Sequence, residues 1–223
     1  MLQDWVTLTF IHWPYQPQLV RPFIPPGLEL DTFDGNAWIG LTPFRVVNLR
    51  PPKLPSAPWI CHFPETNLRT YVRASSGEPG IWFFTLEAAR ILAVAGARSL
   101  YGLPYRWAKM RVEPAGDTID YSSVRRSPGA LAYNRLRIRT GHSILPSELE
   151  TFLTARFRLY TLLHGKLSFA DVEHEPWPLH KAEILQLDQS LTDSVGLPRP
   201  HLKPMAHFSP GVHVRIGRPQ VTE

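Results

Sequence analysis

Short apolar runs rich in β-branched and aromatic residues, cut at frequent intervals by Pro and Gly, recur along the whole chain. Trp5–Trp13 is the first strand predicted, and Pro14 and Pro17 end it. Gln18–Phe23 allows one short helical turn. Leu28–Phe33 and Ala37–Leu49 read as strands on either side of Asp34-Gly35, a strong two-residue hairpin signal, with a break or bulge near Pro43. Arg50–Pro58 holds four prolines and reads as a loop. Cys61–Arg73 and Gly80–Leu86 read as a second strand pair. Along the first of these, period two places Glu65, Asn67, Arg69 and Tyr71 on one face and Thr66, Leu68, Thr70 and Val72 on the other.

A helical pattern follows. Ala88, Ile91, Leu92, Ala95 and Leu100 recur at helical spacing, with Glu87 expected in the first turn, where a carboxylate suits the helix dipole. Gly102 falls where a helix end takes a left-handed residue, and Pro104 follows. This corner delivers Tyr105 and Arg106 onto the first residues of a new strand. Trp107–Glu113, Thr118–Arg125 and Leu131–Thr140 continue as strands. Ser147 and Glu150 form a capping box for a second helix. Arg156–Leu163 and Lys166–Val172 flank a turn at His164-Gly165, and Ala182–Leu187 and Val212–Ile216 are late strands. About ten strands against two substantial helices predict an α+β, β-rich fold, best satisfied by a closed or strongly curved sheet that leaves few free edges. No repeat or linker divides the 223 residues, so one domain over 1–223 is expected.

Composition narrows the function classes. The net charge of +5 comes mainly from arginine, which is scattered and forms no dense run. That speaks against nucleic acid and for small anions, since guanidinium grips a carboxylate in a fork. Cys61 is the single cysteine, so no intrachain disulfide forms, which suits a reducing cytoplasm. No apolar run reaches the length of a membrane helix, and the first residues carry no basic leader. A cytoplasmic protein without membrane or nucleic-acid partners is expected, with room left for a homo-oligomer.

Candidate chemistry centres on the polar strand face. Glu65 and Arg69 either meet water as an ordinary ion pair or line a cavity, where Arg69 would hold a carboxylate and Glu65 would act as acid or base. His174 and His180, like His207 and His213, are separated by five residues, which is no zinc signature, and no metal is expected. His12, in an aromatic strand, reads as a buried core residue. Cys61-His62 lacks the context of a nucleophile, and neither a phosphate loop nor a dinucleotide fingerprint is present, so no cofactor is implied.

The phrase Ala97-Arg98-Ser99-Leu100-Tyr101-Gly102-Leu103-Pro104-Tyr105-Arg106 resembles the acetoacetate decarboxylase motif Gly-Arg-Glu-x-x-Gly-Tyr-Pro-Lys-Lys, with Arg98, Gly102 and Pro104 in place. A closer resemblance, running almost end to end, is to the YqjF-like bacterial proteins. It rests on Leu8–Trp13, Pro25–Gly35, Phe63–Val72 and the Leu-Pro-Tyr corner. The resemblance implies a cone-shaped β-barrel with a few outer helices and a ligand cavity inside. It also implies that Tyr105 and Arg106 stand where the decarboxylases carry the Schiff-base lysine and its neighbour, with Glu65 near an acid of that cavity. Tyrosine cannot form an imine and arginine is no usable nucleophile. Lys109, the nearest amine, lies about 13 Å further along the strand. An imine-forming acetoacetate decarboxylase is therefore not expected.

The reading is a protein that binds a small organic acid or carbonyl compound in an internal cavity, with its transformation there left open. Glu65 and Tyr105 are the catalytic candidates, with Arg69, Asn67, Arg106 and Tyr71 as ligand contacts. The alternatives are a non-catalytic sensor of small ligands and a partner-binding module on the same fold. A wet, polar cavity favours the first two, and a cavity filled by Trp and Phe favours the last.

Overall fold

A computed structural model describes residues 1–53, 55–57 and 60–222. The described residues form the strands β1 (Leu2–Tyr15), β2 (Leu28–Leu30), β3 (Ala37–Arg50), β4 (Phe63–Ala74), β5 (Pro79–Ala88), β6 (Tyr105–Ala115) and β7 (Thr118–Arg125). They continue with β8 (Tyr133–Ser143), β9 (Arg158–Leu163), β10 (Lys166–His174), β11 (His180–Gln189), β12 (Met205–Ile216) and β13 (Gln220–Val221). The helices are α1 (Pro17–Val20), α2 (Ile91–Tyr101), α3 (Glu148–Thr154) and α4 (Leu191–Ser194).

Five strands, in the order β5-β4-β3-β1-β12, make a central antiparallel wall. Each end of the wall forks. The start of β5 pairs with β9 through Ile81 and Trp82, while its end pairs with β6 through Leu86–Ala88, both in parallel. At the other end, β12 pairs with β11 through His207 and Phe208 and with β10 through Val214–Ile216. The sheet thus closes on itself twice, once through β9-β10 and once through β6-β7-β8-β11.

The wall is shared by both rings, so its strands are buried on both faces. That is why β4 reads as continuously buried from Glu65 to Val72 and not as alternating. One face holds Phe10, Phe44, Val46 and Phe63 against Leu159 and Val172 of the β9-β10 side. The other holds Ile11, Ile39, Leu41 and Leu68 against Ile119, Leu136 and Ile138 of β7 and β8. The polar face of β4 therefore looks into a core and not out to water.

Three local expectations are corrected. Glu87 and Ala88 do not begin the helix; they end β5 as fully buried residues, and α2 starts at Ile91. Glu87 is held by Arg125, whose Nη2 donates to Oε1 at 2.5 Å, and Thr85 adds a bond at 3.0 Å. Once buried in the sheet the carboxylate depends on this guanidinium, since losing either partner would leave an uncompensated buried charge. Asp34-Gly35 does turn, with φ of 48° and 72°, but joins only an isolated Phe33–Asn36 bridge; β2 pairs instead with β4. Arg156 precedes β9 and does not open it, because its side chain turns inward to Asp31. The predicted loop Arg50–Pro58 includes Leu54 and Pro58, which lie outside the described residues.

The Gly-Pro corner forms as its residues dictate. Gly102 caps α2 with φ 66°, its N–H donating to Arg98 O. Ser147 and Glu150 make the reciprocal capping box of α3.

Candidate active site

β4 supplies the first side chains. Glu65, Asn67 and Arg69 alternate onto one face and line one inner cavity of about 50 Å3, each of them 5% exposed. Tyr105 enters the same cavity from the start of β6, aimed by the Gly102 cap and the Leu103–Pro104 corner. Its hydroxyl donates to Glu65 Oε2 at 3.0 Å.

Electrostatics set the protonation of this pair. Burial raises the Glu65 carboxyl to about 8, and the bond from Tyr105 only partly opposes that rise. At neutral pH Glu65 is thus mostly a neutral acid. Burial, and then the neighbouring Glu65, hold the Tyr105 phenol well above its ordinary range, so it remains protonated.

Arg69 behaves differently. Among the described residues no carboxylate lies within ion-pair distance of it, Glu65 included, and its Nε finds no hydrogen-bond partner. Its guanidinium carbon lies 5.4 Å from the Phe10 ring centre and 5.9 Å from that of Tyr71. Aromatic faces stabilise a cation, and they leave the Nε–H of Arg69 without an acceptor. A buried guanidinium is permanently charged, so this arrangement favours an anion. Asn67 also keeps its Oδ1 unpartnered.

Tyr71 stands behind Arg69 and does not line the cavity. Its hydroxyl donates to Leu153 O at 2.7 Å and so accepts from His12 Nε2 at 2.7 Å, which fixes the proton of His12 on that nitrogen. His12 is fully buried and held neutral by burial and then by Arg69. Arg106, expected as a ligand contact, does not line this cavity, because adjacent residues of a strand point to opposite faces and Tyr105 occupies the inner one.

Several lining residues carry no local signal in the sequence. Gln3 comes from β1, Thr154 and Arg156 from the end of α3, and His174 and Trp177 from the end of β10 and the segment after it. Arg156 differs from Arg69 in having a carboxylate partner, Asp31, with Nη1 to Oδ2 at 2.5 Å, a partner it shares with Arg73 at 2.9 Å. Among the described residues no three His, Cys, Asp or Glu side chains gather as a metal site. Among the same residues no helix is long and apolar enough to cross a membrane.

The fold resembles several solved structures over almost its whole length. An acetoacetate decarboxylase from Legionella pneumophila superposes with a TM-score of 0.65 at 14% identity, covering 99% of this chain and 88% of that one. The enduracididine biosynthesis enzyme MppR, solved with the condensation product of pyruvate and imidazole 4-carboxaldehyde, gives 0.71 at 15% identity, covering 99% and 88%. The β-rich α+β architecture is thus that of the acetoacetate decarboxylase-like proteins. At the level of sequence, the uncharacterized protein YqjF of Bacillus subtilis is 41% identical over 211 residues, 94% of this chain and 87% of its own length. The family model DUF2071, described as "Uncharacterized conserved protein", matches residues 2–213, and the chain belongs to that family.

Proposed function

We propose that the protein binds a small oxo acid in the inner cavity and moves protons at its carbonyl group without forming an imine. One observation carries this reading: Arg69, a buried cation with no carboxylate partner among the described residues, shares a cavity with the largely protonated Glu65 and its partner Tyr105. The guanidinium takes the carboxylate. The neutral Glu65 acid donates its proton to the carbonyl oxygen, and the carboxylate left behind takes a proton from the adjacent carbon. The ketone becomes its enol, Glu65 ends as it began, and no co-reactant is consumed. Tyr105 positions the carboxyl group through its hydrogen bond.

The neighbour MppR, solved with pyruvate at a TM-score of 0.70 and 15% identity, supplies a probe. Calorimetric titration with pyruvate should give saturable binding that Arg69→Met weakens by about tenfold or more, and no saturable binding to the wild type would overturn the reading. Proton NMR in D2O should show protein-dependent exchange of the pyruvate methyl protons, lost in Glu65→Gln. Binding without exchange would leave the non-catalytic sensor as the function.

A further inference from the structure

The cavity does not end at Glu65 and Tyr105. It continues outward into a second pocket of about 220 Å3, and its chemistry changes at that pair. Arg69, Asn67, Thr154 and Arg156 line the inner chamber and not the outer one. Glu65 and Tyr105 line both, together with Gln3, Leu103, Leu159 and Ile216, and so mark the junction. Beyond it the walls are mostly hydrocarbon, with Leu49, Ile60 and Phe63 facing α2.

Helix α2 is built for this wall. Leu92, Ala93, Gly96, Ala97 and Leu100 share one helical face, and all five line the outer pocket. Leu92 and Leu100 are 64% and 63% exposed, large apolar side chains that the protein itself does not cover. Between them the face carries only small residues. A Cβ added at Gly96 would meet nothing within 4 Å, so the smallest residue of the helix adjoins open space. Glycine in a helix interior weakens the helix, and no packing contact of the described residues requires it here.

We infer that the substrate is an oxo acid with an apolar tail, its carboxylate on Arg69, its carbonyl at Glu65 and Tyr105, and its hydrocarbon chain running outward along α2. The inference rests on the reading of the polar chamber given above. The order of groups follows from the order of lining residues. The inner chamber, about 50 Å3, accommodates a carboxylate and little more, so the bulk of a larger substrate lies on the α2 side of the carbonyl.

The test is a series of straight-chain 2-oxo acids, from pyruvate through 2-oxobutanoate and 2-oxohexanoate to 2-oxooctanoate, titrated calorimetrically into the wild-type protein. Each added methylene should tighten binding about two- to fourfold, as expected for hydrocarbon leaving water. Equal affinity across the series would overturn the tail pocket while leaving the polar chamber intact, because pyruvate has no tail to place along α2. Failure of every member to bind would overturn both. Gly96→Leu places a side chain in the pocket and replaces glycine by a better helix former. In that variant 2-oxooctanoate should gain no more than about twofold over pyruvate, and a gain as large as in the wild type would overturn the proposal. The wild-type series stands without the variant.

Discussion

Tyr105 donates its hydroxyl proton to Glu65 Oε2 across 3.0 Å although β5 lies between their two strands. Ala88 and Leu86 of β5 are the pairing partners of Glu65 and Tyr105 respectively, so the two polar side chains reach each other over that strand. Glu65 is buried and Tyr105 half-buried, and neither has a cation at bonding distance among the described residues. The bond is therefore one between neutral groups below about pH 8.

That protonation state makes stability depend on pH. The Glu65 carboxyl titrates near 8 when folded and near its ordinary 4.5 when unfolded. Between those values the folded state holds the proton that the unfolded state has released, so stability is fully present below about pH 4.5 and declines as pH rises towards 8. The decline is of the order of a few kcal/mol, at about 1.4 kcal/mol for each tenfold difference in proton affinity between the two states. Glu65→Gln removes it. Thermal unfolding should show the variant with a higher Tm than the wild type at pH 8.5 and a difference close to zero at pH 5.

Removing the Tyr105 hydroxyl should move the same titration. Tyr105→Phe deletes the one bond that lowers the Glu65 carboxyl, so its midpoint should rise above about 8. Carbon-13 NMR of labelled glutamate side chains measures it directly. A midpoint that falls would contradict the assignment of donor and acceptor.

Arg69→Met should separate stability from binding. A buried charge without a partner is costly to the fold, and Met fills a similar volume between Phe10 and Tyr71. Chemical denaturation should find the variant at least as stable as the wild type, while its affinity for pyruvate falls by about tenfold or more, the loss expected with a charged hydrogen bond.

The corner before Tyr105 should be intolerant of a side chain. A Cβ at Gly102 would sit 2.6 Å from Leu162 O, at φ 66°. Gly102→Val should lower stability by about 2 kcal/mol or more, combining backbone strain with a clash. The denaturation midpoint reports it.

No lysine should be trapped. Borohydride reduction with acetoacetate present, followed by mass spectrometry, should leave Lys109 unmodified. That residue is exposed, and it stands four positions along β6 from Tyr105.

Much of this site is legible in the sequence because it is local. Period two on one strand brings Glu65, Asn67 and Arg69 together, and a Gly-x-Pro corner aims Tyr105. What sequence cannot supply is closure between distant segments. Arg156 reaches Asp31 across 125 residues, and Gln3, His174 and Trp177 arrive from strand ends with no pattern of their own. Glu87 misleads for the same reason: Ala88, Ile91 and Leu92 have helical spacing, while the partner that keeps Glu87 in the sheet, Arg125, lies 38 residues away. Within α2, Leu92 and Leu100 do share a face, but they face a pocket and not the core.

The doubly buried wall has a consequence for how such a protein can diverge. On β4 the residues that would meet a ligand alternate with Leu68 and Thr70, which are sealed on the opposite side. A slip of one position would exchange the two sets wholesale. Every substitution in this strand is therefore answerable to two interiors at once, and a change of ligand preference cannot be tried there without risking the neighbouring core. Helix α2 carries no such double duty: Leu92 and Leu100 border the pocket on one side and solvent on the other. If the family's ligands differ, that variation is expected to accumulate along α2, with β4 as the slow-changing part of the lineage.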